Sequence, residues 1–249
     1  MRNSLRFLAP SQGRYTLGLF QGRRALFGAD VIWPLALFLM AASISACAAQ
    51  RPEHADQFRA RYGLKVPERH AFSLCFGHGC KHSAAVWLSD AQWAEVRTIF
   101  IDFSADMPTD AATSAREERV RIARAVALLE SMAGEQAGTL LDKAGTGFPL
   151  ENRYQLDCVD EALNTTAYLA MMKQDGLLRF HDLRGPATRG FFFRGWPHTM
   201  AAIFEPGSGR SYAVDSWFFD NGKAPVILPL SQWQDGWQPQ ETKNRASFY

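Results

Sequence analysis

An α+β fold is predicted for this chain, with helices leading and antiparallel strands following. Three observations predict it. The run AREERVRIARAVALLESMA, from Ala115, has helical spacing, and a second helix opens at Cys158 behind a capping aspartate, Asp157. After Gly176 the pattern changes to short strand-like runs, two of them joined by the turn sequence between Glu205 and Arg210, EPGSGR. Helices grouped ahead of strands, instead of alternating with them, characterise α+β architecture.

The N-terminal part reads as a leader. Val31 to Ala46 carries no charge. It is shorter than the ~20 apolar residues a membrane-spanning helix needs and suits a signal-peptide core. Arg2, Arg6, Arg14, Arg23 and Arg24 precede it against a single acid, Asp30. The segment closes on Ile44-Ser45-Ala46-Cys47, which resembles a bacterial lipobox. That resemblance implies a lipoprotein signal peptide over residues 1–46 and a lipid on Cys47. It also implies a place in the bacterial cell envelope, facing the periplasm, with the membrane as partner through the N-terminal lipid. A plain membrane anchor with a chance cysteine is the alternative.

Charge supports the same division. Residues 1–46 hold five of the 27 basic side chains and one of the 25 acidic ones, which leaves 22 basic against 24 acidic downstream. The positive balance therefore belongs to the leader, and no nucleic-acid partner is implied for the remainder. The polar stretch Ala48 to Arg61 completes a tether over 47–61, and residues 62–249 read as a single α+β domain. At 47% hydrophobic and 12% aromatic, the chain can bury a sizeable core.

Four cysteines are present: Cys47, Cys75, Cys80 and Cys158. In an oxidising compartment thiols tend to pair. Cys75 and Cys80 flank FGHG, whose glycines let a small loop close, so a structural disulfide is expected there. His78 and His82 interleave with these cysteines and offer zinc ligation as the alternative. With Cys47 assigned to lipid, Cys158 is left as a free thiol.

In chain order, Arg69 to Leu74 reads as a short strand. Ser89 and Gln92 form a capping box, so Asp90 to about Phe100 is predicted helical. Met107 to Ala112 is turn-like. In the helix that follows, Val120, Ala123, Ala127 and Glu130 share helical spacing, with Arg116, Arg119 and Arg124 directed outward. Gly134 to Gly147 reads as a flexible loop. The helix from Cys158 places Leu163, Ala167, Ala170 and Met171 on its buried stripe, and Gly176 is positioned to end it. Strands are expected at Leu177–Leu183, Phe191–Phe204 with a break at Gly195–Pro197, Ser211–Phe218 and Val226–Leu230.

Three residues in these elements have the chemistry of a nucleophilic site. Cys158 stands in the first turn of its helix, where unsatisfied N–H groups and the helix dipole favour a thiolate. His198 opens one strand and Asp215 lies in the next. Pairing Glu205 with Arg210 sets Met200 opposite Asp215 and His198 diagonal to it on the same face; a register tighter by two sets His198 directly opposite Asp215. An aspartate on one ring nitrogen fixes the tautomer and leaves the other nitrogen to serve the thiol. A triad of Cys158, His198 and Asp215 is expected on this reading, with a thiol titrating below the ~8.5 of free cysteine.

The order Cys, His, Asp is similar to that of the bacterial transglutaminase-like cysteine proteinases, a branch of the papain-like superfamily. The match rests on Asp157-Cys158-Val159-Asp160-Glu161-Ala162 and on separations of 40 residues from Cys158 to His198 and 17 from His198 to Asp215. It covers roughly residues 110–220. The resemblance implies a papain/transglutaminase-like fold, in which the Cys-bearing helix packs on an antiparallel sheet bearing His and Asp. It implies a cysteine hydrolase, a protease or amidase working through an acyl-enzyme on a protein or peptide substrate in the envelope. No cofactor is implied. Some members hold calcium through acids around the Cys, but Val159 stands where that motif has Glu, and no metal is expected. Gln155 and the backbone N–H of Cys158 are the oxyanion-hole candidates, an ordinary surface glutamine being the favoured alternative for Gln155. Trp196 and Trp217 flank the His and Asp and are the best cleft aromatics, the others suiting the core. The alternatives are an NlpC/P60-like cell-wall endopeptidase and a non-catalytic envelope lipoprotein on the same fold.

Overall fold

Polar composition marks residues 47–61 as a tether, yet Phe58 and Arg59 draw part of that stretch onto the folded unit. The computed structural model describes residues 54–105, 110–147, 152–190 and 197–240, without the side chains of 102–105. The expected leader 1–46, Cys47 and the expected tether up to residue 53 lie outside the described residues. Within them, helix α1 spans Ala55–Arg61 and buries Phe58 and Arg59. The Arg59 guanidinium is almost wholly buried and donates to the Leu163 carbonyl at 2.6 Å and the Ser73 carbonyl at 3.3 Å. A cation buried with such partners is held firmly, so 55–61, expected within the tether, is a structural helix of the folded unit.

Strands β1 (Ala71–Phe76) and β2 (His82–Trp87) pair as an antiparallel hairpin across the cysteine loop. β2 was not foreseen, because its outward residues Ser83, Ala85 and Trp87 give no polar alternation to read. Helix α2 runs Asp90–Ala105 behind the expected capping box: Ser89 N–H donates to Gln92 Oε1 at 3.0 Å and Gln92 N–H to Ser89 Oγ at 3.2 Å.

Helix α3 spans Ala111–Ala137, capped by the Asp110 carboxylate on the Thr113 N–H at 2.8 Å. It continues past Gly134, where a loop was expected. A Cβ on Gly134 would stand 3.0 Å from Asn221 and 3.2 Å from the Leu140 backbone, so this glycine serves a close approach and Gly138, at φ 79°, ends the helix. The buried stripe is Ala115, Glu118, Ile122, Val126, Leu129 and Ala133, while Val120 is 43% exposed. Arg119 corrects the expected outward set, since it reaches inward to Glu205 at 2.6 Å and lies 4.0 Å over the Tyr212 ring.

Helix α4 runs Cys158–Gln174 with the expected apolar stripe buried, and Gly176 follows its end at φ 72°. Strands β3 (Asp182–Arg189), β4 (His198–Glu205), β5 (Arg210–Asp215) and β6 (Val226–Pro229) form an antiparallel sheet in that order, and α5 (Leu230–Gln234) follows. β3 starts later than the expected Leu177. The Glu118 carboxylate takes the backbone N–H groups of Arg179 and Phe180 at 2.7 and 2.6 Å, so that segment is tied to α3 instead of to a ladder. β5 stops at Asp215, where the chain turns with Phe219 N–H on the Ser216 carbonyl at 2.9 Å. Phe191 to Trp196 lie outside the described residues.

The architecture is α+β, with two antiparallel sheets and packed helices. Ala201, Ile203, Tyr212 and Val214 turn one sheet face to the main core with Tyr168 and Met171 of α4 and Ile122 and Leu129 of α3. The other face carries Met200, Ala202 and Ala213 against Trp233 of α5.

Candidate active site

The first turn of α4 is built by its own sequence and then braced from outside. Asp157 accepts the N–H groups of Val159 and Asp160 at 3.0 and 2.9 Å, and Asp160 returns a bond to the Asp157 N–H at 3.2 Å. Neither this bond nor the second role of Asp160 was foreseen. Its carboxylate also accepts the backbone N–H of His78 at 2.8 Å and of Cys80 at 2.6 Å. Asn164, one turn on, bonds both the N–H and the carbonyl of Cys75 at 2.7 and 2.9 Å. Cys75 and Cys80 are joined as a disulfide, which occupies both thiols that the zinc alternative needed. The cysteine loop is thus fastened to the helix that carries Cys158, and His78 holds a left-handed φ of 70° within it.

The β4–β5 hairpin has the wider of the two expected registers. Glu205 pairs with Arg210 and Ala201 with Val214, which places His198 and Asp215 on one face. His198 Nε2 and Asp215 Oδ2 are 2.7 Å apart, with Asp215 1% and His198 7% exposed. The other ring nitrogen, Nδ1, has no hydrogen-bond partner among the described residues. Like the pair itself, this nitrogen is buried. Trp217, Phe218 and Trp233 surround the imidazole at ring distances of 4.6, 5.3 and 5.5 Å, which excludes water from the pair. Trp217 is fixed in turn by its indole N–H on the Thr146 carbonyl at 2.8 Å. Trp196, the other cleft aromatic expected, lies outside the described residues.

Cys158 lies against the backbone on either side of His198. Its Sγ is 3.9 Å from the Pro197 carbonyl, and the Thr199 N–H stabilises its anion. It remains a free thiol and is partly exposed. The tertiary fold therefore brings the three predicted residues into one neighbourhood, although no hydrogen bond joins Sγ to the imidazole.

The expected low thiol pKa is not what this environment produces. Burial pushes the Cys158 thiol up to about 11, opposed by the Thr199 N–H and reinforced by the negative charges of Asp157 and Asp215. Desolvation of the thiolate here outweighs the helix terminus. A thiol held that high stays protonated near neutral pH.

Gln155 is not an oxyanion donor. Its Oε1 accepts the Lys143 N–H at 3.0 Å and its Nε2 donates to the Leu141 carbonyl at 3.3 Å, so the amide is consumed in bracing the loop before Cys158. The Cys158 N–H stands at the helix start and acts on its own thiol.

No family model, curated protein or solved structure matches the chain. Function is therefore argued from the site itself. Among the described residues no group of three or more His, Cys, Asp and Glu side chains is placed to hold a metal ion.

Proposed function

We propose that this protein is a cysteine hydrolase, acting as a peptidase or amidase by a Cys158–His198–Asp215 triad on a protein or peptide of the bacterial cell envelope. The observation that carries this reading is the His198–Asp215 pair, with Nε2 engaged at 2.7 Å and Nδ1 unengaged, beside a free thiol lodged between Pro197 and Thr199. In the reaction, Sγ attacks the carbonyl carbon while Nδ1 takes the thiol proton. The oxyanion is held by the Cys158 N–H, and the imidazolium then protonates the leaving amine. Water, deprotonated by the same nitrogen, releases the acid and restores the thiol. Asp215 holds the tautomer that leaves Nδ1 available. The papain/transglutaminase-like fold belongs to the same proposal, supported by the placement of the Cys helix and of His and Asp on neighbouring strands. So does the lipid on Cys47, which rests on the Ile44-Ser45-Ala46-Cys47 junction. The NlpC/P60-like alternative is disfavoured because its third polar member is more often a His, whereas Asp215 fills that role here.

The test is iodoacetamide labelling of the intact protein near neutral pH, mapped to Cys158 by mass spectrometry. Labelling should slow at least tenfold in His198→Ala, and Cys158→Ser should abolish hydrolysis of envelope peptides. Equal labelling of the two proteins means the imidazole does not serve the thiol, and the non-catalytic lipoprotein reading then stands.

A further inference from the structure

Resting on the triad just described, we infer that Trp233 is a positioning residue of this site, because its indole N–H bonds the same oxygen of Asp215 that binds His198. Trp233 Nε1 donates to Asp215 Oδ2 at 2.7 Å, and His198 Nε2 lies 2.7 Å from that atom. Trp233 is fully buried in α5, downstream of the segment whose motifs point to a peptidase. Its backbone carbonyl accepts from the Arg189 guanidinium, which also lies 4.3 Å over the indole ring. Arg189 faces His198 across the β3–β4 ladder. A strut therefore runs from β3 to α5 and returns to the carboxylate at the end of β5.

The arrangement has a chemical consequence. Asp215 Oδ1 is buried with no hydrogen-bond partner among the described residues, so both bonds to this carboxylate fall on Oδ2. A carboxylate gripped at one oxygen only could pivot about it. The indole and imidazole approach that oxygen from different elements, and together they set the plane in which it meets His198. An indole N–H is a donor that neither titrates nor accepts, so it can supply this grip throughout the working pH range without competing for the proton. Phenylalanine at 233 would keep the ring packing and lose only the donor. Lysine or arginine there would bring a charge into the dry aromatic shell.

The experiment follows the rate of Cys158 alkylation by iodoacetamide from pH 5 to pH 10 in wild type, Trp233→Phe, Arg189→Met and His198→Ala. The wild-type profile should rise through an acid limb that is missing in His198→Ala. A carboxylate that loses a neutral donor holds a proton harder. The limb should therefore move to higher pH by about one unit in Trp233→Phe, the size expected for one hydrogen bond to a charged group. Arg189→Met should move it the same way by less. A packing role alone would lower the melting temperature and leave the limb in place. If Trp233→Phe does not fold, the indole 1H–15N resonance of Trp233 in the wild-type protein gives the answer. It should shift with the same midpoint as the limb, and it should be flat in His198→Ala. A limb unmoved in a folded Trp233→Phe protein, or an indole resonance unresponsive to pH in wild type, overturns the inference while leaving the triad intact. A limb that persists in His198→Ala overturns the triad itself.

Discussion

Asp160 accepts the backbone N–H of Cys80 at 2.6 Å, and through this bond the disulfide loop is fastened to the first turn of the helix that carries Cys158. Cys80 and Cys158 are 78 residues apart in the chain. Gly77, His78, Gly79 and Cys80 all have positive φ, a run that the disulfide and the Asp160 carboxylate together maintain. The Cys75→Ser/Cys80→Ser double variant should lose about 2 kcal/mol, the chain-entropy value for a loop this short. A fall in melting temperature of roughly 4–8 °C by circular dichroism is the corresponding observation. An unchanged melting temperature would show that Asp160 and Asn164 hold the loop without the covalent bond.

Stability should depend on pH in a direction set by buried acids of α3, of the loop after it and of the first turn of α4. Burial pushes Glu130 up to about 8 and Asp142 and Asp160 to about 7, and drives Glu161 well above the usual carboxylate range. Each group therefore binds its proton more tightly folded than unfolded. Their contribution is fully present below the unfolded values near 4 and is lost as pH rises through about 7 to 8. The melting temperature should be higher at pH 5 than at pH 8.5. Glu130→Gln should flatten that dependence, and a melting temperature that climbs steadily toward pH 8.5 would contradict it.

The pH profile of thiol reactivity has its own expected shape. With Cys158 held up to about 11 by burial, alkylation should show two steps. The lower belongs to the coupled thiol–imidazole pair and the upper to direct ionisation of the thiol. His198→Ala should leave only the upper step. A single low plateau from pH 5 upward would instead mean a stable thiolate at rest.

Arg119 gives a stability test away from the site. Its bond to Glu205 at 2.6 Å and its position over Tyr212 join α3 to the end of β4. Arg119→Met should cost about 3 kcal/mol by leaving Glu205 buried without its cation, measured by urea denaturation. Glu205→Gln placed on the Arg119→Met background should recover part of that loss.

The lipid anchor is tested chemically. If Cys47 is the mature N-terminus, globomycin should accumulate the precursor, and mass spectrometry should find a diacylglyceryl group on Cys47. A soluble mature chain beginning at another residue would end that reading.

What the amino-acid sequence determined by itself was mostly local. Asp157 starts a helix at Cys158, Ser89 and Gln92 start another, and Glu205 to Arg210 closes a hairpin with two readable registers, of which the structure has the wider. These signals act over three or four residues, or through strand alternation, so they are written where they act. Either register places His198 and Asp215 on one face, because they differ by two residues. Only the tertiary structure decided the rest. It showed that α1 docks through Arg59, that β2 exists, that Arg119 points inward, and that Gln155 is consumed in bracing a loop. It also turned the thiol from the low pKa a helix start favours to about 11, because burial depends on everything packed around Cys158. Trp233 is the clearest case. An indole in a short helix reads as core in any sequence, and it becomes the second donor to Asp215 only when β6 carries α5 back beside the end of β5.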